Sequence, residues 1–286
     1  MKIGIVGLGV VGGTLYDWLK EKTEHELYRD DPGLGFDEIK SKVDAIFLCV
    51  PVPTLSYGSQ DVLTLKGCIK KYLKYDQSLF FIRSTVLPKT CDHLMKFYKK
   101  QIYAMPEFLT ERTSKDDFKK HPIMCGANIE NREASDDHEK LLSQIFPEKE
   151  IYLVSNREAE LAKYAHNCAG AIKVTFFNLI ARYAEVIGAD YERVLEGILM
   201  SGHINETHTK VPGPDGKTGF GGKCFPKDLL TFTKELKRMG LQSGLCEMAF
   251  YENIVNRLLW GKWLKQPDIN YPDEYKIQNL ESLKNF

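Results

Sequence analysis

The run Gly219-Phe220-Gly221-Gly222-Lys223-Cys224-Phe225-Pro226-Lys227-Asp228 gathers more chemistry than any other stretch of the chain. Three glycines let the backbone pack tightly just ahead of a cysteine. Lysine and aspartate follow on a new helix. A thiol at a helix N-terminus beside cationic groups ionises more readily than one in solution and becomes a nucleophile. Cys224 is therefore the candidate nucleophile. The six cysteines at 49, 68, 91, 125, 168 and 246 read as small buried hydrophobes. No spacing among the seven fits a disulfide framework or a zinc site, so no metal is expected and the compartment reads as a reducing cytoplasm.

A second group lies near the start. Gly7-Leu8-Gly9-Val10-Val11-Gly12 follows an apolar run and opens a helix, the context in which Gly-x-Gly-x-x-Gly binds a dinucleotide. Gly7 makes the tight turn, Gly9 lets a pyrophosphate approach the backbone, and Gly12 lets helix and strand pack closely. The phosphate charge then meets the helix N-terminus at Val10 and Val11. An acid for the ribose hydroxyls belongs about 20 positions on, and Asp30 and Asp31 both stand there. Asp31 is preferred because Pro32 ends the strand. A carboxylate favours NAD over NADP, with Arg29 the one argument against. Two further strand ends, Cys49-Val50-Pro51-Val52-Pro53-Thr54 and Arg83-Ser84-Thr85-Val86, fall on the edge where parallel sheets bind ligands. Val50 and Pro51 shape a wall there. Ser84 and Thr85 offer hydroxyls to a nicotinamide or a phosphate.

The elements that must position these groups change character part-way along. Apolar runs at 2–7, 26–29, 43–50, 79–83, 101–105, 122–126 and 150–154 alternate with amphipathic stretches such as 61–73 and 133–146. Alternation of this kind predicts βαβ units and a mostly parallel, doubly wound sheet of Rossmann type over 1–154. From 155 to 286 the period becomes helical. Ser155 and Glu158 form a capping box, and apolar residues recur at 161, 165, 168, 172, 176, 179, 183 and 186. One helix over 157–187 would be about 45 Å long at 1.5 Å per residue. Shorter helices are predicted at 191–200, 229–239 and 245–264, before a weakly patterned polar tail. The fold class is α/β, a sheet domain followed by an all-helical domain.

Composition bounds the partners. The 286 residues suggest about two domains. The 39 basic and 39 acidic residues cancel, so nothing points to nucleic acid. No apolar run approaches the roughly 20 residues of a membrane span, and the first residues do not read as a signal peptide.

Taken in order, GLGVVG, CVPVPT, RSTV, MPEFL (Met105 to Leu109), ELAKYAHN (Glu160 to Asn167) and GFGGKCFPKD make the chain similar to the UDP-glucose/GDP-mannose 6-dehydrogenase family from residue 1 to about 257. Asn253 and Arg257 fit a looser helix pattern of that family. The resemblance implies an NAD-dependent oxidation of a nucleotide-sugar alcohol to a carboxylate with two NAD, UDP-glucose being the first choice of substrate and GDP-mannose the second. It implies that Cys224 is the nucleophile, that Lys163 and Asn167 hold the oxyanion and a water, and that Asp228 holds or activates water. Glu107 becomes the acid/base of the thioester step, and Glu111 lies near the nicotinamide. Phe108, Leu109 and the loop 215–221, with Gly219, Phe220 and Gly221, touch substrate. His208, Lys210 and Lys217 are cations that can meet a diphosphate or simply face solvent.

Three departures qualify the likeness. Met105 stands where the family has asparagine, Val52 where it has threonine, and about 30 residues follow the last matched helix where the family carries a third, nucleotide-gripping domain. Two other readings stay open: a one-step dehydrogenase of the 3-hydroxy acid type, which also uses a helix lysine, and an NAD-binding relic without turnover. The apolar stripe of the long helix, with Phe176, Phe177 and Tyr183, predicts a homodimer through that helix, with Phe177 as the position to disrupt.

Overall fold

A computed structural model describes residues 1–55, 58–75 and 77–258. The chain divides into two compact units. Met1–Val52 with Asp61–Tyr164 form the first; Pro53–Gln60 with Ala165–Phe286 form the second.

The first unit is the expected α/β domain. In chain order it holds β1 (Lys2–Val6), α1 (Val10–Lys22), β2 (Glu26–Asp30), β3 (Ala45–Leu48), α2 (Leu63–Tyr72), β4 (Leu79–Ile82), α3 (Thr90–Tyr98), β5 (Ile102–Ala104), α4 (Ser114–Lys120), β6 (Ile123–Gly126), α5 (Arg132–Ile145) and β7 (Ile151–Val154). Five strands pair in parallel in the order β2-β1-β3-β4-β5, and β6 and β7 form a parallel pair of their own. All four residues of β3 are buried, as a strand covered on both faces must be. Alternation sends Phe47 and Phe81, stacked at 5.0 Å, toward Leu15, Trp18 and Phe146. Ile46, Leu48, Phe80 and Ile82 face Leu65, Ile69 and Tyr72.

The long helix is α6 (Asn156–Val186). Its capping box forms: Glu158 Oε2 accepts from the Ser155 amide at 2.7 Å, and Ser155 Oγ accepts from the Glu158 amide at 3.3 Å. The buried side carries Glu160, Lys163, Asn167, Thr175 and Asn178 together with Tyr164, Cys168, Ala171 and Phe177, while Leu161, Phe176, Leu179, Tyr183 and Val186 of the apolar stripe are exposed. Phe177 is 2% exposed. It belongs to the interior, so Phe177 is replaced by Phe176, its exposed neighbour, as the position that tests a surface contact.

The second unit adds α7 (Tyr191–Leu199), α8 (Phe225–Arg238) and α9 (Gly244–Leu258) to the later part of α6. Cys168, Ala171, Phe220, Leu229, Phe250 and Ile254 make its core. Helix α8 starts four residues earlier than its periodicity predicts, because Phe225 and Pro226 already lie in the first turn. The predicted extension of the last helix to 264 lies outside the described residues. The segment Pro53–Gln60 joins this unit: Thr54 Oγ1 lies 2.7 Å from Thr231 Oγ1 and donates to the Lys227 carbonyl at 3.3 Å.

Candidate active site

The glycine loop of the first unit has the form that a dinucleotide needs. Gly7 sits at φ +85°, and a Cβ there would come within 2.7 Å of the Cys49 carbonyl oxygen. A Cβ on Gly12 would stand 1.9 Å from the Gly7 carbonyl oxygen, so helix and strand could not close. Gly9 is different: nothing lies within 4 Å of its would-be Cβ. It is the cradle position, where backbone faces open space. Gly9 also caps α1 without a side-chain bond, which leaves the amides of Val10 and Val11 for an anion.

The two candidate acids separate cleanly. Asp30 is buried, and its Oδ2 accepts from Lys71 Nζ at 2.7 Å and from the Tyr72 hydroxyl. Asp31 turns to the glycine loop, where its Oδ2 accepts from the Leu8 amide at 2.7 Å. Arg29 is engaged by aromatic rings, 3.7 Å from the Phe36 centroid and 5.0 Å from that of Tyr16. The two strand ends are tied together by Ser84 Oγ, which donates to the Val50 carbonyl at 2.6 Å. Val50 is buried, Pro51 is exposed, and Thr85 is half-buried beside them.

A charged cluster completes this unit. Lys163, 4% exposed, places Nζ 3.3 Å from Glu107 Oε1 and 5.5 Å from the Phe108 ring centroid. Glu107 Oε2 accepts from the Leu109 amide at 2.5 Å. Glu111 lies exposed on a short 3₁₀ turn. Two buried charges here had no role in the sequence reading. Arg83 sits beside Cys49, Glu107 and Cys125, burial lowers its pKa, and its Nε and Nη1 have no hydrogen-bond partner among the described residues. Glu160 accepts from two backbone amides. Both stand inside the motifs RSTV and ELAKYAHN, which was the available signal.

In the second unit Cys224 immediately precedes α8, at an exposed position. One turn on, Asp228 is 1% exposed. It accepts from Asn167 Nδ2 at 2.6 Å and from Lys227 Nζ, and its amide donates to the Cys224 carbonyl at 2.9 Å. Burial raises the other six thiols: Cys49 to about 12, and Cys68, Cys91, Cys125, Cys168 and Cys246 upward. An inert thiol is the expected result of burial, and Cys224 alone of the seven is exposed.

The glycine loop before Cys224 is held by side chains from two helices. Asn178 Oδ1 accepts from the Gly219 amide at 2.8 Å. Asn253 brackets Phe220, accepting from its amide at 2.7 Å and donating to its carbonyl at 2.9 Å. Arg257 donates to the Gly219 carbonyl at 3.0 Å and to Asp215 at 2.7 Å. Gly219 is at φ +71°, and a Cβ there would meet Asn253 Oδ1 at 2.4 Å; one on Gly221 would meet Arg257 at 3.0 Å. Phe220 points into the core. Burial lowers the pKa of His208, whose ring lies 5.2 Å from Phe225, and Lys210 pairs with Glu206 at 2.8 Å.

Residues 34–148 match the NAD binding domain of the UDP-glucose/GDP-mannose dehydrogenase family, and 157–254 match its central domain. The chain belongs to that family. Relatives include the UDP-glucose 6-dehydrogenase of Rickettsia prowazekii, 31% identical over 82% of this chain and 55% of the relative. That of Rickettsia typhi is 31% identical over 86% and 57%. This chain thus spans about half the length of the curated relatives that it matches. Among solved structures, a UDP-glucose dehydrogenase from Pyrobaculum islandicum has a TM-score of 0.76 at 23% identity, covering 89% of this chain and 68% of that one. A 3-hydroxyisobutyrate dehydrogenase from Mycobacterium tuberculosis, at 0.68 and 16%, covers 89% and 93%. At such identities these two likenesses speak for the fold. The match to an NAD binding domain identifies the cofactor of this family member as NAD. No helix among the described residues is long and apolar enough to cross a membrane.

Proposed function

We propose that the chain oxidises the primary alcohol of a nucleotide sugar, UDP-glucose first, to the uronate in two hydride transfers. The observation that carries this is the exposed Cys224 at the start of α8, one turn from the buried Asp228–Asn167 pair. A dehydrogenase that stops at a carbonyl needs no nucleophile; one that goes on to a carboxylate needs a covalent holding point for the aldehyde.

Gly7, Gly9, Gly12 and Asp31 would hold NAD, which supplies the hydride acceptor for each oxidation. Lys163 gives a positive charge to the oxygen of the reacting alcohol, whose proton passes to water. Glu107, paired to Lys163 at 3.3 Å, serves as the acid/base of the thioester step. The Cys224 thiolate adds to the aldehyde carbon, and the oxygen becomes the alkoxide of a thiohemiacetal. Loss of a second hydride leaves a thioester on Sγ. Water held by Asp228 and Asn167 attacks it, the C–S bond breaks, and the thiol returns. In sum, one alcohol, one water and two NAD⁺ give one carboxylate, two NADH and three protons. Phe108, Leu109 and the loop ending at Gly221 are proposed to contact the sugar.

The test is stoichiometry under limiting sugar nucleotide. Two NADH per substrate, with a product heavier by 14 mass units, are expected from the exchange of two hydrogens for one oxygen. One NADH with a carbonyl product would instead favour the 3-hydroxy acid type, whose fold this chain shares. The assembly proposed is a homodimer through the exposed face of α6.

A further inference from the structure

Glu160 is 2% exposed, lies one turn before Lys163 on α6, and has no part in the steps above. A buried carboxylate is costly unless it is paired, so its partners say what it is for. They are two backbone amides and the Cys91 thiol: Lys89 N donates to Oε2 and Cys91 N to Oε1, each at 2.7 Å, and the thiol adds a side-chain bond. These belong to the start of α3, whose N-cap residue Lys89 is left-handed at φ 78° and makes no side-chain cap. Glu160, 71 residues away in sequence, supplies the cap instead. The capped helix is reached directly from Ser84-Thr85-Val86. Those three residues, with Pro106, Glu160 and Lys163, line a cavity of about 10 Å³.

We propose that Glu160 is a positioning residue, tying the start of α3 to the helical turn that carries Lys163 and so fixing the Ser84–Thr85–Val86 strand end against Lys163 and Glu107. The proposal rests on the dehydrogenase reading and gives that reading a residue which touches neither substrate nor cofactor. The charged carboxylate accepts both amides more strongly than the neutral acid, since a proton makes one oxygen a donor and a weaker acceptor. Burial raises the acid to about 7; the bonds from Cys91 and Lys89 oppose the rise, and Asp92 adds to it. The ionisable groups around it are Cys91 and Asp92 on α3, Lys89 just before it, and Lys163 on its own helix. Asp92 is itself held by Arg157 Nε at 2.7 Å and Asn156 Nδ2 at 3.3 Å. The double tie is therefore strongest on the alkaline side of neutrality and weaker on the acid side.

The experiment measures NAD reduction against pH for the wild type, Glu160→Gln and Glu160→Asp, with hydrogen exchange at the Lys89 and Cys91 amides. In the wild type kcat should fall on the acid side of an inflection near neutrality. Glu160→Gln should lose about tenfold in kcat at alkaline pH and lose the inflection, with KM for NAD changed by less than about threefold because the glycine loop is untouched. Both amides should exchange at least about tenfold faster in that variant. Glu160→Asp keeps the charge but is one methylene shorter, and should retain an inflection and part of the rate; it carries the test alone if Glu160→Gln does not fold. Wild-type kcat and an unchanged pH profile in Glu160→Gln would overturn the proposal, however fast the amides exchange. If the wild type oxidises no nucleotide sugar, the reaction reading falls by itself. The exchange arm still decides the tie, because amides equally protected with and without the carboxylate would refute it.

Discussion

At the scale of single residues, chemistry and packing make opposite demands, and the seven cysteines show both. Six are driven by burial toward the neutral thiol, and Cys224 is kept at the surface by a glycine loop that three side chains hold in place. Replacing its sulfur by oxygen tests the assignment. In Cys224→Ser the first hydride should still be transferred, because that step needs no nucleophile. Acid release should fall by at least about 10³-fold, since a hydroxyl is far less ionised than a thiol at neutral pH. Single-turnover NADH formation with product mass reads both halves, and acid production at the wild-type rate would refute the role. Cys224 and Asp31 were legible because their types and spacing are themselves the signal. Arg83 was not, since an arginine at a strand end looks solvated until the fold closes over it.

At the scale of elements, the seven strands were legible from alternation and apolar runs, and α6 from its period and capping box. Helix α3 was not. Its start has no local cap, and the carboxylate that replaces one comes from Glu160. The split of α6 into two faces was legible too: its apolar stripe is exposed, while Lys163 and Asn167 lie on the buried side, where polar residues find partners beside Tyr164, Cys168, Ala171 and Phe177. Buried ionisable groups also couple these elements to pH. His138 on α5 lies against Tyr103, with ring centroids 4.2 Å apart, and burial lowers its pKa to about 4 from 6.5. Its folded-state value is depressed, so its contribution is present above pH 6.5 and lost as pH falls through about 4. For Glu160 the folded-state value is raised, so its contribution is present below 4.5 and lost as pH rises through about 7. The two slopes oppose each other in one window. His138→Phe should therefore gain on the wild type as pH falls from neutrality, by up to about 3 kcal/mol for a shift of this size. Urea midpoints measured across that window check this, and parallel curves for the two proteins would contradict it.

At the scale of the whole molecule, the outward side of α6 is the feature that calls for a partner. Phe176, Leu179, Tyr183, Val186 and Ile187 are 52, 48, 61, 82 and 58% exposed. They follow one another at intervals of three, four, three and one, which lines them along a single helical stripe. Scattered exposed apolar residues need no explanation, but a contiguous row of them on one helix marks a contact surface. The occupant proposed for this row is a second copy of the chain. A two-fold axis across a helix presents the same stripe to itself, so one self-complementary patch buries both copies at once. Phe176 is the residue that tests this. Its ring makes an edge contact with Phe177, at 5.5 Å between centroids, yet half of its surface is open, so a charge there disturbs the contact surface more than the interior. Phe176→Glu should convert a dimer to a monomer in light scattering at micromolar concentration. Its thermal unfolding should then lose the dependence on protein concentration that a dimer shows. Phe177→Glu should instead destabilise the fold itself, because it places a charge in a site that is 2% exposed. A wild-type chain that scatters as a monodisperse monomer would remove the dimer and leave the stripe to a different partner.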